Sequence, residues 1–284
     1  MSIMKSWDTV AILGVGLIGG SIGLGLRQRG LAERVVGIGR NPQRLETALR
    51  LGAVTSTTSH IEEGVSRADL VVICTPVERI VDQVRQVAAA CPAGALITDA
   101  GSTKVAICRA LRSGTGGAGV FVGSHPMAGS EKSGVRHARA GLFENRVAII
   151  TPWDDSDGEA VERIADFWAS LGCRVMRMRP EEHDATVAWI SHVPHVVAAA
   201  LAAATPAEHV PVAAGGWRDT TRVAGANPEL WQQILTQNQH HVLKSLDKFE
   251  KVLAAFREAL DAGDSSKLEQ LLQAGKQNRD ALGG

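Results

Sequence analysis

The chain has 284 residues, enough for two domains and a sizeable core. Thirty Lys and Arg balance thirty Asp and Glu with no long run of like charge, which speaks against a nucleic acid or an anionic membrane surface as partner. Cys74, Cys91, Cys108 and Cys173 are widely spaced, with no C-x-x-C pair and no secretory framework, so reduced thiols in a cytoplasmic protein are expected.

The opening MSIMKSWDTV has no apolar h-region and runs directly into a strand, so no signal peptide is expected. From there to about residue 178, short β-type runs alternate with helical segments. The expected strands are 10–13, 35–38, 70–74, 95–98, 120–122, 147–150 and 174–178. Strands that are apolar throughout and separated by helices predict a parallel sheet covered on both faces.

GVGLIG, residues 14–19, stands between the first strand and a helix expected over 18–29, with Gly30 as its left-handed stop. Gly14 permits a tight turn, Gly16 lets a pyrophosphate approach the backbone, and Gly19 lets helix and strand pack closely. Leu17 and Ile18 then sit at the helix N-terminus, where free N–H groups and the helix dipole favour an anion. NAD-binding folds place Asp or Glu at the end of the second strand, but here VVGIGRN, residues 35–41, puts Gly39 at that position. Arg40 suits the 2′-phosphate of NADP, Asn41 adds a hydrogen bond and Arg44 a second charge. NADP is therefore the expected cofactor, with NAD as the alternative.

DAGSTK at 99–104 and SHPMAGSEKSG at 124–134 follow strands at the end of the sheet where ligands bind. His125, in a loop with Ser, Glu and Lys, is placed there for acid–base work. A helix is expected over 159–171, with Val161, Ile164, Ala165, Trp168 and Leu171 on one face.

After Pro180 the strands stop. A helix over 181–204 contains most of an uncharged stretch, 185–207, long enough to span a bilayer. Its alanine content, His192, Pro194 and His195 predict instead a helix buried inside protein. Pro194 denies a hydrogen bond to the Ile190 carbonyl and predicts a kink that presents His195 to the domain cleft. His192, three residues before His195 on the same face, reads as a core histidine. With His183 these histidines could suggest a metal, but no carboxylate or thiol completes a set at ligand spacing, so no metal is expected.

GGWRDTTR at 215–222 places Arg218 and Arg222 beside an acidic residue in a Gly-rich loop, which suits bidentate binding of a carboxylate. Pro228 opens a very long helix, 228–261, whose stripe runs from Trp231, Ile234 and Leu235 to Phe256 and Leu260. It is too long to bury that stripe against so small a domain, which predicts a homodimer with a helical core. Ser266-Lys267-Leu268-Glu269 reads as a capping box that starts a last helix.

Together these stretches resemble the prephenate/arogenate (cyclohexadienyl) dehydrogenases, the oxidoreductases that lead to tyrosine. The likeness runs through the glycine fingerprint, VVICTPV at 71–77, DAGSTK, GSHPMAGSEKSG, ISHVPH at 190–195, GWRDTTR and Asn227-Pro228-x-x-Trp231. Ala100 stands where the family often has Val, and Ala226-Asn227 where it often has Ser-Asp; neither touches the proposed chemistry. The chain stops after the helical part, so the regulatory module of some members is not expected.

The fold class is α/β: a Rossmann-type dinucleotide-binding domain over 1–178, then an all-α substrate-binding and dimerisation domain over 179–284. The resemblance implies a cyclohexadiene substrate with a 4-hydroxyl, a ring carboxylate and a pyruvyl or alanyl side chain. Hydride leaves the hydroxyl-bearing carbon for the nicotinamide while His125, as general base, takes the hydroxyl proton, and the ring carboxylate departs as carbon dioxide. By the same likeness Ser102 bonds near the reacting hydroxyl and the histidine, and Arg222 binds a carboxylate. Glu131 and His195 border the site, Ser124 and Trp217 join the substrate pocket, and Thr75, Pro76 and Gly101 contact the dinucleotide.

Two other readings compete. A 3-hydroxyacid-type dehydrogenase relies on a lysine of its helical domain, and the 181–204 helix has none. A non-catalytic redox sensor that binds a dinucleotide needs no Ser102/His125/Arg222 constellation.

Overall fold

The first strand, β1 (Trp7–Leu13), is apolar at nearly every position and buried on both faces, which places it inside a parallel sheet. The computed structural model describes residues 7–130 and 132–281. After α1 (Leu17–Gln28), Gly30 at φ +64° turns the chain as expected. There follow β2 (Ala32–Ile38), α2 (Pro42–Arg50), β3 (Ser56–Thr58), α3 (Ile61–Val65), β4 (Leu70–Ile73), α4 (Val77–Ala90), β5 (Leu96–Asp99), α5 (Val105–Leu111) and β6 (Val120–Val122). The polar, three-residue β3 had no pattern to announce it.

These six strands pair in parallel in the order β3-β2-β1-β4-β5-β6. The order reverses between β1 and β4, and Leu13, Ile38, Ile73 and Asp99 end their strands in register. The loops that leave them therefore open on one crevice at the topological switch point.

Two of the expected strands lie elsewhere. β7 (Ser124–Pro126), β8 (Val147–Ile150) and β9 (Arg174–Arg177) form a separate sheet in which β7–β8 is antiparallel and β8–β9 parallel. An apolar run reads the same in either sheet, so periodicity could not assign them. The step from β6 to β7 is made at Gly123, where an added Cβ would stand 2.7 Å from Thr151 Oγ1. His125 thus sits on a short strand rather than in a loop. α6 (Gly158–Ser170) brings Val161, Ile164, Ala165 and Trp168 into the same core as Val10, Ile12, Ile22 and Val72, as its stripe predicted.

Among the described residues no strand follows β9. α7 (Pro180–Val187), a π turn (Ala188–His192) and α8 (Val193–Ala204) make one apolar rod. At the π turn Val193 N reaches back to Ala188 O just before Pro194, so the hydrogen-bond ladder widens where the proline lacks a donor. Pro180–Ala204 is long and apolar enough to cross a membrane by length and composition, and 33% of its apolar window is buried in the chain. Burial inside this chain is therefore only partial: His183, His192 and Ala198 are covered, whereas Ile190 and Leu201 are exposed.

α9 (Gly215–Thr221) leads to α10 (Pro228–Gln237), α11 (Gln239–Asp261) and α12 (Ser265–Asp280). The single helix expected over 228–261 is broken at Asn238. Its side-chain amide donates to Asp184 O (2.7 Å) and to His192 Nδ1 (3.1 Å), and this tertiary anchor holds the residue at φ −103°, ψ 23°. α10 docks on the sheet domain, where Ile234 and Trp231 join the core of Ala11, Val71, Ile73 and Ile80. The lower stripe of α11 leaves Val252, Leu253 and Leu260 exposed. α12 is capped by Asp264, which stands two residues before Ser266 and accepts from Lys267 N (2.9 Å), so the helix starts earlier than a cap at Ser266 would place it.

Candidate active site

The glycine turn is built by contact. Gly14 has φ +97°, and a Cβ on it would lie 2.8 Å from Cys74 O; one on Gly19 would lie 2.3 Å from Gly14 O. A Cβ added to Gly16 would meet nothing within 4 Å, so the Cα face of this residue is open to an approaching ligand. α1 starts at Leu17-Ile18 with no side-chain cap bond and no acidic residue in its first turn. Uncapped amides and open backbone fit a pyrophosphate.

At the exit of β2, Arg40, Asn41 and Arg44 are exposed. Asn41 Oδ1 caps α2 by accepting from Arg44 N (3.0 Å), which leaves only its amide nitrogen for a ligand. Thr75 Oγ1 donates to Gln83 Oε1, and Pro76 opens α4. Gly101 is buried, and its N–H is taken by Asp99 Oδ2 (2.8 Å), so that amide is not available to the dinucleotide.

Behind the crevice lies a dry polar knot. Asp99 and Lys104 are both fully buried, and Lys104 Nζ donates to Asp99 Oδ2 and to Ser124 O (2.9 Å). Asp99 Oδ1 accepts from Ser124 N (3.1 Å). Ser124 Oγ donates to Asp99 O (2.6 Å) and accepts from Trp168 Nε1 (2.9 Å). Ser124 was expected at the substrate; it is instead sealed beneath the site, because its hydroxyl stitches β5 to β7.

The next residue, His125, is half-buried, and its Nδ1 lies 2.8 Å from His183 Nε2. His183 is fully buried, and its Nδ1 lies 2.8 Å from Asp184 Oδ1. The two oxygens of Asp184 also accept from Lys104 N (2.8 Å) and Val105 N (2.9 Å), so one carboxylate of the helical part closes on the start of α5. Burial pushes the His125 imidazole well below its ordinary value, helped by His183, Lys104 and His192. Burial also lowers His183 in spite of Asp184. Both rings are neutral at pH 7, and a neutral ring is what a base requires.

Ser102 is half-buried in the loop between β5 and α5, and Thr103 beside it ties that loop to α10 through Gln237 Oε1 (2.7 Å). His195 is buried and stacks on Trp231, with ring centroids 3.5 Å apart and planes within 9°. Its Nδ1 has no partner among the described residues. His192 is a core histidine, held by Asn238. Arg222 is exposed and opens a short turn, Arg222–Gly225, packed on α8. Trp217 Nε1 donates to Thr205 Oγ1 (3.0 Å), and Arg218 Nε to Ala213 O (3.1 Å), so both are engaged within their own region. Glu131 lies outside the described residues.

Sequence reasoning missed Asp184, Lys104 and Asn238 and met His183 only as a possible ligand. The one available signal was His183-Asp184 standing as the last charged pair before the uncharged stretch.

A dinucleotide turn at a switch point, beside a neutral histidine backed by a second histidine and a carboxylate, defines a nicotinamide-dependent dehydrogenase. Residues 22–177 match the family described as prephenate dehydrogenase, nucleotide-binding domain, and 179–274 its dimerization domain. The chain is 36% identical to a prephenate dehydrogenase of Bacillus subtilis, over 99% of this chain and 77% of that one. It superposes on the Aquifex aeolicus prephenate dehydrogenase solved with hydroxyphenyl propionate and NAD+ (TM-score 0.90, 31% identity, 98% and 99% of the two chains). The Synechocystis arogenate dehydrogenase aligns at TM-score 0.80 and 31% identity, covering 96% and 99%. The chain belongs to the prephenate dehydrogenase family.

Proposed function

We propose that this protein catalyses the oxidative decarboxylation of prephenate, arogenate or both, in tyrosine biosynthesis. The observation that carries the reading is the neutral His125 backed by His183 and Asp184, on the strand whose Ser124 is tied to Asp99 at the end of β5. A bound nicotinamide supplies the hydride acceptor. Gly14, Gly16, Leu17, Ile18 and Gly19 hold its pyrophosphate, and Thr75 and Pro76 line its path. His125 Nε2 takes the proton of the substrate hydroxyl as its carbon gives up hydride; the C–C bond to the carboxylate then breaks, carbon dioxide leaves, and the electron pair completes the aromatic ring. The proton returns from His125 to the phenolate oxygen. Ser102 bonds near the hydroxyl, while His195 borders the site.

Domains divided at 178/179, a homodimer formed through the helical part and a cytoplasmic setting complete the reading. The exposed apolar stripe of α11 and the free thiols support the last two. The test is reduced-nicotinamide formation on prephenate and on arogenate; no turnover with either refutes the proposal.

Arg222 binds a substrate carboxylate. Arg222→Ala should raise KM about tenfold or more, because a charge-assisted contact is lost. A fall in melting temperature with unchanged substrate constants would make its role structural.

NADP is the preferred cofactor, supported by the absence of a carboxylate at Gly39 and the exposed Arg40 beside it. In Arg40→Ala the specificity constant for NADP should fall about tenfold while that for NAD holds, the loss of one charge-assisted phosphate contact. Preference for NAD in the parent, or equal loss of both, refutes it.

A further inference from the structure

The chain His125–His183–Asp184 fixes protons as well as positions. Burial alone would raise the Asp184 carboxyl, yet the hydrogen bond from His183 and those from the Val105 and Lys104 amides outweigh it and hold it below its ordinary value. As a carboxylate Asp184 can only accept, so His183 donates from Nδ1. A neutral imidazole with its proton on Nδ1 offers only a lone pair at Nε2, and that atom is the one 2.8 Å from His125 Nδ1. His125 therefore carries its own proton on Nδ1, and its Nε2 is a bare acceptor.

We propose that His183, backed by Asp184, is a positioning residue that selects the tautomer of His125 in which Nε2 can take the substrate's hydroxyl proton; this rests on His125 being the base. The same carboxylate accepts from the Lys104 and Val105 amides across the seam between the two parts of the chain. Docking of the helical part and correct configuration of the base are thus one event. When His125 takes up a proton, its Nδ1–H still points to His183, and the new charge faces a neutral ring whose far side is anchored on Asp184.

The experiment is 15N NMR of histidine-labelled protein at neutral pH, with kinetics of His183→Leu and His183→Gln. Leucine removes the acceptor; glutamine puts its Oε1 where Nε2 stood and restores it. The parent should show His125 protonated at Nδ1. His183→Leu should lose that signature and lower kcat/KM by roughly 10- to 10²-fold, a part of what the base contributes, with cofactor dissociation unchanged. His183→Gln should regain both. A parent His125 protonated at Nε2, or a His183→Leu variant with the parent's tautomer and rate, overturns the proposal. Should His183→Leu fail to fold, the parent's tautomer and the rate of His183→Gln decide it. Normal turnover in His125→Asn would refute the base itself, whereas an unchanged tautomer in His183→Leu refutes only the positioning.

Discussion

His125→Asn is expected to keep the fold and the cofactor affinity and to lower turnover about 10²–10⁴-fold, the usual contribution of a general base. The asparagine amide nitrogen can replace Nδ1 as donor to His183 Nε2, so the hydrogen bond recorded at 2.8 Å has a substitute and the pocket need not collapse. What disappears is the acceptor at Nε2, for which asparagine has no equivalent. The pH profile gives a second signature. Burial, followed by His183, Lys104 and His192, places the His125 value well below 6.5. The base is neutral above that value, so kcat/KM in the parent should hold as pH falls through 6.5 and decline only in more acid solution. In His125→Asn that acid limb should vanish along with most of the rate. Near-normal turnover in the variant would remove the mechanism.

What the sequence made legible was what local geometry decides. Gly14, Gly16 and Gly19 lie within one strand-turn-helix unit, and each is explained by a contact, or a lack of one, inside it. The stripe of α6 and the left-handed Gly30 are of the same kind. Sheet membership was not legible, because Val147–Ile150 is equally apolar whichever sheet it joins. Nor was the break at Asn238, a residue that a helix tolerates until Asp184 and His192, each more than forty positions away, claim its side chain. His125 stood out in its motif, but its partner is 58 positions on and no periodicity links the two. Ser124, next to His125, was misread for the opposite reason. A serine beside a catalytic histidine looks accessible, and only the packing of Trp168 and β5 over it shows that it is not.

Lys104 is the residue whose replacement should cost the fold most. Lysine is almost never fully buried unless paired, and here both its ammonium and the Asp99 carboxylate are sealed from solvent. Lys104→Met keeps the volume of the stem and removes the charge. Asp99 would retain the amides of Gly101 and Ser124 but lose its counter-ion, and breaking a buried pair from one side costs about 3–5 kcal/mol. Urea unfolding followed by tryptophan fluorescence would report the loss, since Trp168 bonds to the same knot through Ser124. The double variant Lys104→Met/Asp99→Asn should recover only part of it: the orphaned charge is gone, but asparagine offers one oxygen to the two amides of Gly101 and Ser124 that the carboxylate served. The substitution also reaches the chemistry. After burial and His183, Lys104 is the next influence holding the His125 value down. Removing it should move the acid limb of kcat/KM upward, toward the ordinary histidine value. A stability loss under about 1 kcal/mol, within the range of an exposed pair, together with an unmoved acid limb, would mean that the knot is neither a strut of the fold nor a neighbour that His125 feels.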